Sequence, residues 1–380
     1  MALPTTISGV LLPNSGQPFF FGPFISGGNI YAVFEDSTTA GLLNVVKATD
    51  PTASFATQDA SNAPDAGTTI VSLWAFQDGT DLKIVTATAT GPEYRYHVFH
   101  MATDLWDGTL KNETIEDVKD QPPICAVSCA VRSDGDVIVL YNGDMDAVMG
   151  ADWRRVDYAR REPSWTVGVN VAGDSLESSW VSGATIRGAS DKMHFLYMDS
   201  TNADAYQRSL SSANSLGTQH TLDTTVAALG GQVFIPAVYY DDAGIERITI
   251  AYHDSDSTLQ ALVVENDGTP GTPSNLSDAA VGQSRGCLAV ENGTIKKVHA
   301  LFPDSGTSDL FYDVNQDEAG WGTDVEILDA VTVSKLSCTV YDRSGTKLAY
   351  VYNDGGTVKY NEKSLSSDQS FGLSGVLATG

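Results

Sequence analysis

A unit of about 50 residues recurs along this 380-residue chain, and it limits the possible fold more than any other feature. Its most regular copy covers residues 234–265, where three apolar or alternating runs are separated by two tight turns. Runs of this kind, bounded by Asp, Gly and Ser, predict antiparallel strands joined by hairpins. The chain is therefore expected to consist of repeated β-sheets.

An aromatic residue ends the second strand of each unit, and an Asp usually follows two residues later. The pattern occurs as Phe34 with Asp36, Tyr197 with Asp199, Tyr252 with Asp254, Phe302 with Asp304, and Tyr352 with Asp354, and Tyr141 is a further copy. From Tyr141 onward the spacings are 56, 55, 50 and 50 residues, and a degenerate copy near Thr88 fills the gap before it. Seven units of four short strands predict an all-β, seven-bladed β-propeller of four-stranded antiparallel blades.

The five recurrent Asp residues are assigned to turn structure, because Asp caps its own backbone in tight turns. The predicted blades of the single domain, 1–380, lie near residues 18–60, 68–115, 124–171, 178–223, 232–278, 284–329 and 333–375. Residues 1–13 are expected to supply a ring-closing strand at the outer edge of blade seven, a place for which residues 371–380 compete. Closure of the ring would remove an exposed sheet edge.

Charge argues against several classes of partner. The chain has 22 Lys and Arg against 48 Asp and Glu, a formal net charge of −26, which repels phosphate backbones and anionic lipids. No run reaches the roughly 18 apolar residues of a membrane span, and no signal-peptide pattern opens the sequence. We expect no nucleic-acid partner, no membrane insertion, and a place on a virion or extracellular surface without a signal peptide, or otherwise in the cytoplasm.

Three of the four cysteines, Cys129, Cys287 and Cys338, lie six or seven residues before the Gly of the first turn of their units. Equivalent positions in different blades favour small buried side chains over a disulfide framework. The sequence thus predicts reduced thiols.

The third turns share a loose pattern of Asp followed by Gly-Thr or an aromatic residue, as in 102–109 (ATDLWDGT) and 265–272 (ENDGTPGT). This pattern resembles the Asp-box of sialidase-like seven-bladed propellers. The resemblance implies kinship of fold, because in that family the Asp-box shapes the turn. Sialidases also hold the substrate carboxylate with three Arg, the first on blade one. Here the first Arg is Arg95, which argues against a true sialidase.

Residues 141–165 depart most from the repeat. They contain Arg154, Arg155, Arg160 and Arg161, and alternation places the first and third on one face of a strand and the other two on the opposite face. Such a cluster could clamp an anionic group or an acidic partner protein. The favoured alternative is cross-strand pairing with Asp152, Asp157 and Glu162.

Asp144, Asp146 and Asp152 in the same segment could supply oxygen ligands to Ca²⁺, although they lack EF-hand spacing. No nucleotide-binding or nucleophile-elbow motif is present, and no other cofactor is expected.

Taken together, the sequence favours a non-catalytic structural or binding module of a larger assembly, and within that class a structural or adhesion component of a phage virion that contacts other proteins or copies of itself. The alternative is a carbohydrate-active enzyme of sialidase-like type or a glycan-binding lectin. Trp106, Trp165 and Trp321 near the third turns discriminate between them: stacking on sugar requires their exposure, and a subunit interface requires their burial between chains.

Overall fold

The chain forms a ring of seven small antiparallel sheets. The computed structural model describes residues 3–10, 20–89, 93–117, 127–144, 154–172, 180–188, 191–199, 203–226, 234–242, 245–254, 258–265, 267–277, 286–292, 296–304, 308–316, 320–343 and 345–365. The strands within these ranges alternate with short turns, and one 3₁₀ turn, Ala60–Asn62, follows the first sheet. The predicted fold class is confirmed: the protein is an all-β, seven-bladed β-propeller.

Five of the seven blades are plain antiparallel meanders in chain order; blade two has an additional short strand, and blade seven takes its outer strand from the start of the chain. Strand β1 (Thr5–Val10) precedes blade one, which contains β2 (Phe20–Ser26), β3 (Asn29–Glu35), β4 (Leu43–Ala48) and β5 (Ala56–Gln58). Blade two contains β6 (Ile70–Asp78), β7 (Asp81–Thr88), β8 (Glu93–His100), β9 (Leu105–Trp106) and β10 (Glu113–Asp117). Blade three contains β11 (Val127–Val131), β12 (Val137–Asp144), β13 (Arg154–Glu162) and β14 (Ser164–Asn170), and blade four contains β15 (Trp180–Arg187), β16 (Met193–Asp199), β17 (Asp204–Leu210) and β18 (Leu216–Asp223).

The remaining three blades follow the same plan. Blade five contains β19 (Phe234–Asp242), β20 (Ile245–His253), β21 (Leu259–Glu265) and β22 (Ser274–Asn275). Blade six contains β23 (Cys287–Asn292), β24 (Lys296–Pro303), β25 (Leu310–Gln316) and β26 (Val325–Leu328), and blade seven contains β27 (Val333–Asp342), β28 (Thr346–Asp354) and β29 (Thr357–Ser364). The first strand of every blade contacts the first strand of the next, and β27 contacts β2, so the ring is closed.

The ring also closes at its outer edge through the start of the chain. Strand β1 pairs antiparallel with β29, with Thr5 opposite Tyr360 and Thr6 opposite Lys359. It is therefore the fourth strand of blade seven, although it precedes blade one in sequence. Ile7 is completely buried in a cluster that includes Phe20 and Phe34 of blade one.

Hydrophobic side chains are buried mainly between neighbouring blades. Tyr158 of blade three stacks on Phe195 of blade four, with ring centroids 5.5 Å apart. Cys287 of blade six packs in one cluster with Tyr350 of blade seven. Aromatic rings bury large areas and therefore dominate the energy of such contacts. The recurring aromatic residues of the sequence thus hold the blades to one another.

Third turns reach back to the preceding blade. Asp104, in the turn after β8, accepts hydrogen bonds from Lys47 Nζ (2.7 Å) and from the Tyr31 hydroxyl (2.9 Å), both in blade one. Phe55, before β5, packs on Tyr360 of blade seven with ring centroids 5.9 Å apart. The turns with the Asp-box-like pattern in blades one and two therefore contribute to contacts between blades.

His100 joins the first and third turns of blade two. Its Nδ1 lies 2.7 Å from Asp81 and its Nε2 3.1 Å from Asp107, and these hydrogen bonds to carboxylates raise the pKa of His100. A raised pKa in the folded state stabilises the fold below the unfolded pKa of about 6.5, and that contribution is lost as pH rises through the folded value.

We therefore expect His100→Gln to lower the thermal midpoint more at pH 5 than at pH 9. The effect should correspond to at most about 1 kcal/mol, because the ring is partly exposed and solvent screens the pairs. Calorimetry at both pH values measures it, and an equal loss at the two values would contradict the assigned protonation.

Candidate functional site

Strand β13 carries the arginine cluster that the sequence singles out. Arg155 and Arg161 face blade two, and Arg160 lies on the other face with Asp136 (3.6 Å) and Glu162 (2.8 Å). Arg155 pairs with Asp157 two residues along the strand. Arg154 is opposite Asp144 in the β12–β13 ladder. Asp157 and Glu162 are ion-pair partners of the arginines, but each lies two residues along the same strand and not on a neighbouring strand as predicted. Asp152 lies outside the described residues, and the function of the arginines in binding stays a prediction.

Arg161 belongs to a patch that spans two blades, which we call the two–three seam and define by Tyr96, Glu113, Arg161 and Trp165. Arg161 Nε donates to Glu113 Oε2 over 2.7 Å, and Nη2 lies 3.4 Å from Oε1. The guanidinium carbon is 5.9 Å from the centroid of the Tyr96 ring. Trp165 stands opposite Arg161 in the β13–β14 ladder and meets Tyr96 edge-on at 5.6 Å.

The two–three seam is partly open to solvent. The side chains of Arg161 and Glu113 are 21% and 27% exposed, and Val167, two residues beyond Trp165, is 39% exposed. A guanidinium has five N–H donors and a carboxylate about four acceptor positions, so this pair retains capacity for further hydrogen bonds. Planar polar groups beside aromatic rings suit a ligand with several hydroxyls and apolar C–H faces.

A second polar group lies deeper between the same blades. The Tyr141 hydroxyl donates to Glu116 of β10 and accepts the Gly168 N–H at 3.0 Å. Asp157 is completely buried, and burial raises its pKa to about 6 although Arg155 opposes the shift. These groups thus lie at the same blade junction as the two–three seam.

Tyr141 with Glu116 has the residue types of a tyrosine nucleophile and its carboxylate partner, but its environment favours a structural role. Tyr141 is buried, and burial together with the Glu116 charge raises the pKa of its hydroxyl, whereas a nucleophile needs a lowered one. An equivalent pair recurs between blades four and five, where Tyr252 donates to Asp223 over 2.5 Å. Repetition at two blade junctions indicates that the pairs fasten blades together.

The recurrent turn Asp residues lie where the second strands end. Asp36 accepts hydrogen bonds from the backbone N–H groups of Thr38 and Thr39, and Asp354 accepts one from Thr332 and pairs with Lys359. Asp199 is the last residue of β16, while Asp254 and Asp304 directly follow β20 and β24. Their assignment to turn structure stays a prediction that these positions fit.

The Ca²⁺ hypothesis also stays a prediction. Asp146 and Asp152 lie outside the described residues, and only the backbone of Asp144 is described, at the end of β12. Among the residues that the structure does describe, no three His, Cys, Asp or Glu side chains come together as a metal site.

The burial of the three tryptophans does not discriminate between a sugar-binding protein and a structural module as clearly as the sequence suggests. Trp106 lacks the exposure that stacking on a sugar requires, because it is only 5% exposed and packs edge-on against Phe99 at 5.2 Å. Trp165 packs against blade two, and Trp321 packs against a cluster shared by blades five and six. The reason is that third turns fold back onto neighbouring side chains, which buries Trp106 and leaves Trp165 and Trp321 partly exposed.

Sequence comparison places the chain in no known family. No family model matches the sequence, and no curated protein matches it.

Structural comparison, in contrast, finds many propellers. The BP39L lectin from Burkholderia pseudomallei is similar over 95% of this chain and 97% of its own, with a TM-score of 0.59 and 10% identity. AofleA from Arthrobotrys oligospora is similar over 82% and 86%, with a TM-score of 0.54 and 11% identity. A Hadza microbial sialidase is similar over 89% of this chain and 73% of its own, with a TM-score of 0.52 and 12% identity. The fold is therefore one that a lectin and a sialidase also use, in agreement with the Asp-box resemblance.

Two other expectations concern membrane insertion and the place in a virion. No helix among the described residues is long and apolar enough to span a bilayer. The place in a virion, and the contacts with other particle proteins, stay predictions.

Sequence analysis did not identify Tyr96, Glu113 and Glu116 as site residues, because they come from blade two. The only signal was the alternation of β8 and β10, which indicates that the three share a face.

Proposed function

We propose that the protein is a glycan-binding β-propeller without catalytic activity, and that the two–three seam is a glycan-binding site. One observation carries the proposal: a partly exposed arginine–glutamate pair lies at a junction of two blades, with Arg161 over the buried Tyr96 ring and opposite the partly exposed Trp165. A sugar offers adjacent hydroxyls for the polar pair and C–H groups for the Trp165 ring. The lectin and sialidase folds named above support carbohydrate as the ligand class.

The geometry favours binding over hydrolysis. Hydrolysis by the usual route needs two carboxyl groups on opposite sides of the scissile bond, one of them available as an acid. In the two–three seam the carboxylate of Glu113 is held by Arg161, and the acid with a raised pKa, Asp157, is completely buried. The groups at the surface of the seam can thus hold hydroxyls, but they do not form an acid–base pair across a ligand.

The test is a glycan array followed by calorimetric titration of each glycan that binds. Arg161→Ser should weaken binding at least tenfold, because it removes the guanidinium and frees the Glu113 side chain. Arg160→Ser is the matched control, since Arg160 is the neighbouring residue, is also ion-paired, and faces away from blade two. It should retain affinity within about twofold.

Three results would contradict the proposal. They are the absence of any glycan bound by the unaltered protein, equal losses in the two variants when both keep their thermal midpoints, and turnover of a bound glycan. Turnover of a bound glycan would show that the protein is a carbohydrate-active enzyme.

A further inference from the structure

The junction of blades six and seven repeats the cation-over-tyrosine arrangement of the two–three seam. Lys363 Nζ of β29 lies 4.7 Å from the centroid of the Tyr312 ring of β25, as Arg161 lies over Tyr96. The two cations hold equivalent positions in their blades. Arg161 pairs with Val137, four residues before the anchor Tyr141, and Lys363 pairs with Leu348, four residues before the anchor Tyr352.

The two junctions differ in one partner. In blade two, the fourth-strand residue opposite Tyr96 is Glu113, the carboxylate that binds Arg161. In blade six, the fourth-strand residue opposite Tyr312 is Val325, which is partly buried against the neighbouring core. We call Tyr312, Val325 and Lys363 the six–seven seam. It has the aromatic ring and the cation of the other seam but an apolar side chain in place of the carboxylate.

Lys363 is consequently a cation without a counter-charge beside it. Within the described residues no carboxylate lies at ion-pair distance from its Nζ, and burial lowers the pKa of the amine. The acidic group of the adjoining network, Glu291, is engaged by His299 at 3.3 Å and by Lys297 at 3.6 Å, and His299 Nδ1 bonds the Tyr312 hydroxyl at 2.8 Å. A half-buried lysine without a neighbouring carboxylate is unusual in a chain with a formal net charge of −26.

We propose that the six–seven seam binds the carboxylate of an acidic sugar, with Lys363, which lies over the buried ring of Tyr312, as its cation. The ligand would supply the negative charge that Glu113 supplies within the protein at the other seam. The assignment of a sugar rests on the proposed function, whereas the assignment of a carboxylate rests on Lys363 and Val325 alone. A single carboxylate also suits the overall charge, which repels polyanions.

The test compares glucuronate with glucose by NMR-detected titration of the full chain. We expect glucuronate to bind at least tenfold more tightly than glucose. Lys363→Gln should remove most of that preference by deleting the cation. Val325→Glu should remove it as well, because it reproduces the internal carboxylate of the two–three seam. Lys359→Gln is the matched control, since Lys359 lies on the same strand and is paired with Asp354 at 2.6 Å, and it should leave affinity within about twofold.

The amine pKa of Lys363, measured by NMR after isotopic dimethylation, provides a readout that loss of folding would not mimic. It should rise in Val325→Glu, because an adjacent carboxylate favours the ammonium form. Unchanged glucuronate affinity in Val325→Glu, or equal affinity for glucuronate and glucose, would overturn the proposal. Acetate bound as tightly as glucuronate would overturn the sugar assignment. Glucuronate binding by Arg161→Ser, together with no neutral glycan on the array, would support this site and overturn the two–three seam as a binding site.

Discussion

Replacing Ile7 with Asp should destabilise the whole protein by about 3–5 kcal/mol, which is the cost of losing a buried aliphatic side chain and burying a polar one. Ile7 is completely buried between blade seven and blade one, where it packs in one cluster with Phe20, Phe34 and Tyr360. Its strand is the fourth strand of blade seven, so loosening it exposes the edge of β29 and removes one of the contacts that close the ring.

Thermal unfolding measured by circular dichroism tests this result, with a midpoint expected to fall by roughly 4–6 °C in a chain of this length. Thr6→Asp is the matched control, because Thr6 lies on the same strand, points outward and is exposed. It should change the midpoint little. If both variants unfolded like the unaltered protein, β1 would not contribute to ring closure.

The fold could be predicted from the sequence because its determinants are local and repeated. Tyr141, Tyr252 and the other anchors recur at fixed spacing, and the Gly and Asp residues between them mark the turns. The number of blades follows from that count. The partners of the anchors could not be predicted in the same way. Tyr141 bonds Glu116, and Tyr252 bonds Asp223, both on the outer strand of the preceding blade.

Contacts between blades depend on the register of strands that are distant in sequence. Arg161 and Glu113 are 48 residues apart, and alternation within β13 gives only the face on which Arg161 lies. Which side chain of β10 meets that face depends on a register shift between Thr114 and Glu116 that no local pattern indicates. For this reason the arginines could be identified from the sequence, whereas Tyr96 and Glu113, which complete the two–three seam, could not.

The two proposed binding sites have a similar arrangement but would accept different ligands. The fold places a cation above a tyrosine at both junctions, and one fourth-strand position decides whether the charge is satisfied within the chain, by Glu113, or left without a carboxylate, by Val325. Neutral and acidic ligands would then be distinguished by a single side chain. A repeat protein allows this kind of variation because equivalent positions recur in successive units.

Adding one methyl group at Gly143 should have the second large effect on stability. Gly143 pairs with Arg155 in the β12–β13 ladder, and a Cβ there would lie 2.0 Å from Asp157 Oδ2 and 2.7 Å from its Cγ. The Asp157 carboxylate is buried and bound to Arg155, so it cannot turn aside without breaking the pair. Breaking a buried ion pair while one charge stays buried costs about 3–5 kcal/mol.

Gly143→Ala should accordingly lower the free energy of unfolding by about 3 kcal/mol in denaturant titration, at the lower end of that range because the backbone can adjust slightly. Gly108→Ala is the control, since nothing lies within 4 Å of the added Cβ and its φ is not positive. It should change stability by less than about 0.5 kcal/mol.

A double-mutant comparison decides whether the carboxylate is the cause. In an Asp157→Ala background the clash is absent, so adding Gly143→Ala should cost little beyond the loss already caused by Asp157→Ala. A full additional loss in that background would show that the methyl group disturbs β12 itself. The same variants should be titrated with any glycan found for the two–three seam. Arg155, Asp157 and Arg161 lie along one face of β13, so loosening the Arg155–Asp157 pair in Gly143→Ala should also weaken binding at the two–three seam, whereas Gly108→Ala should bind normally.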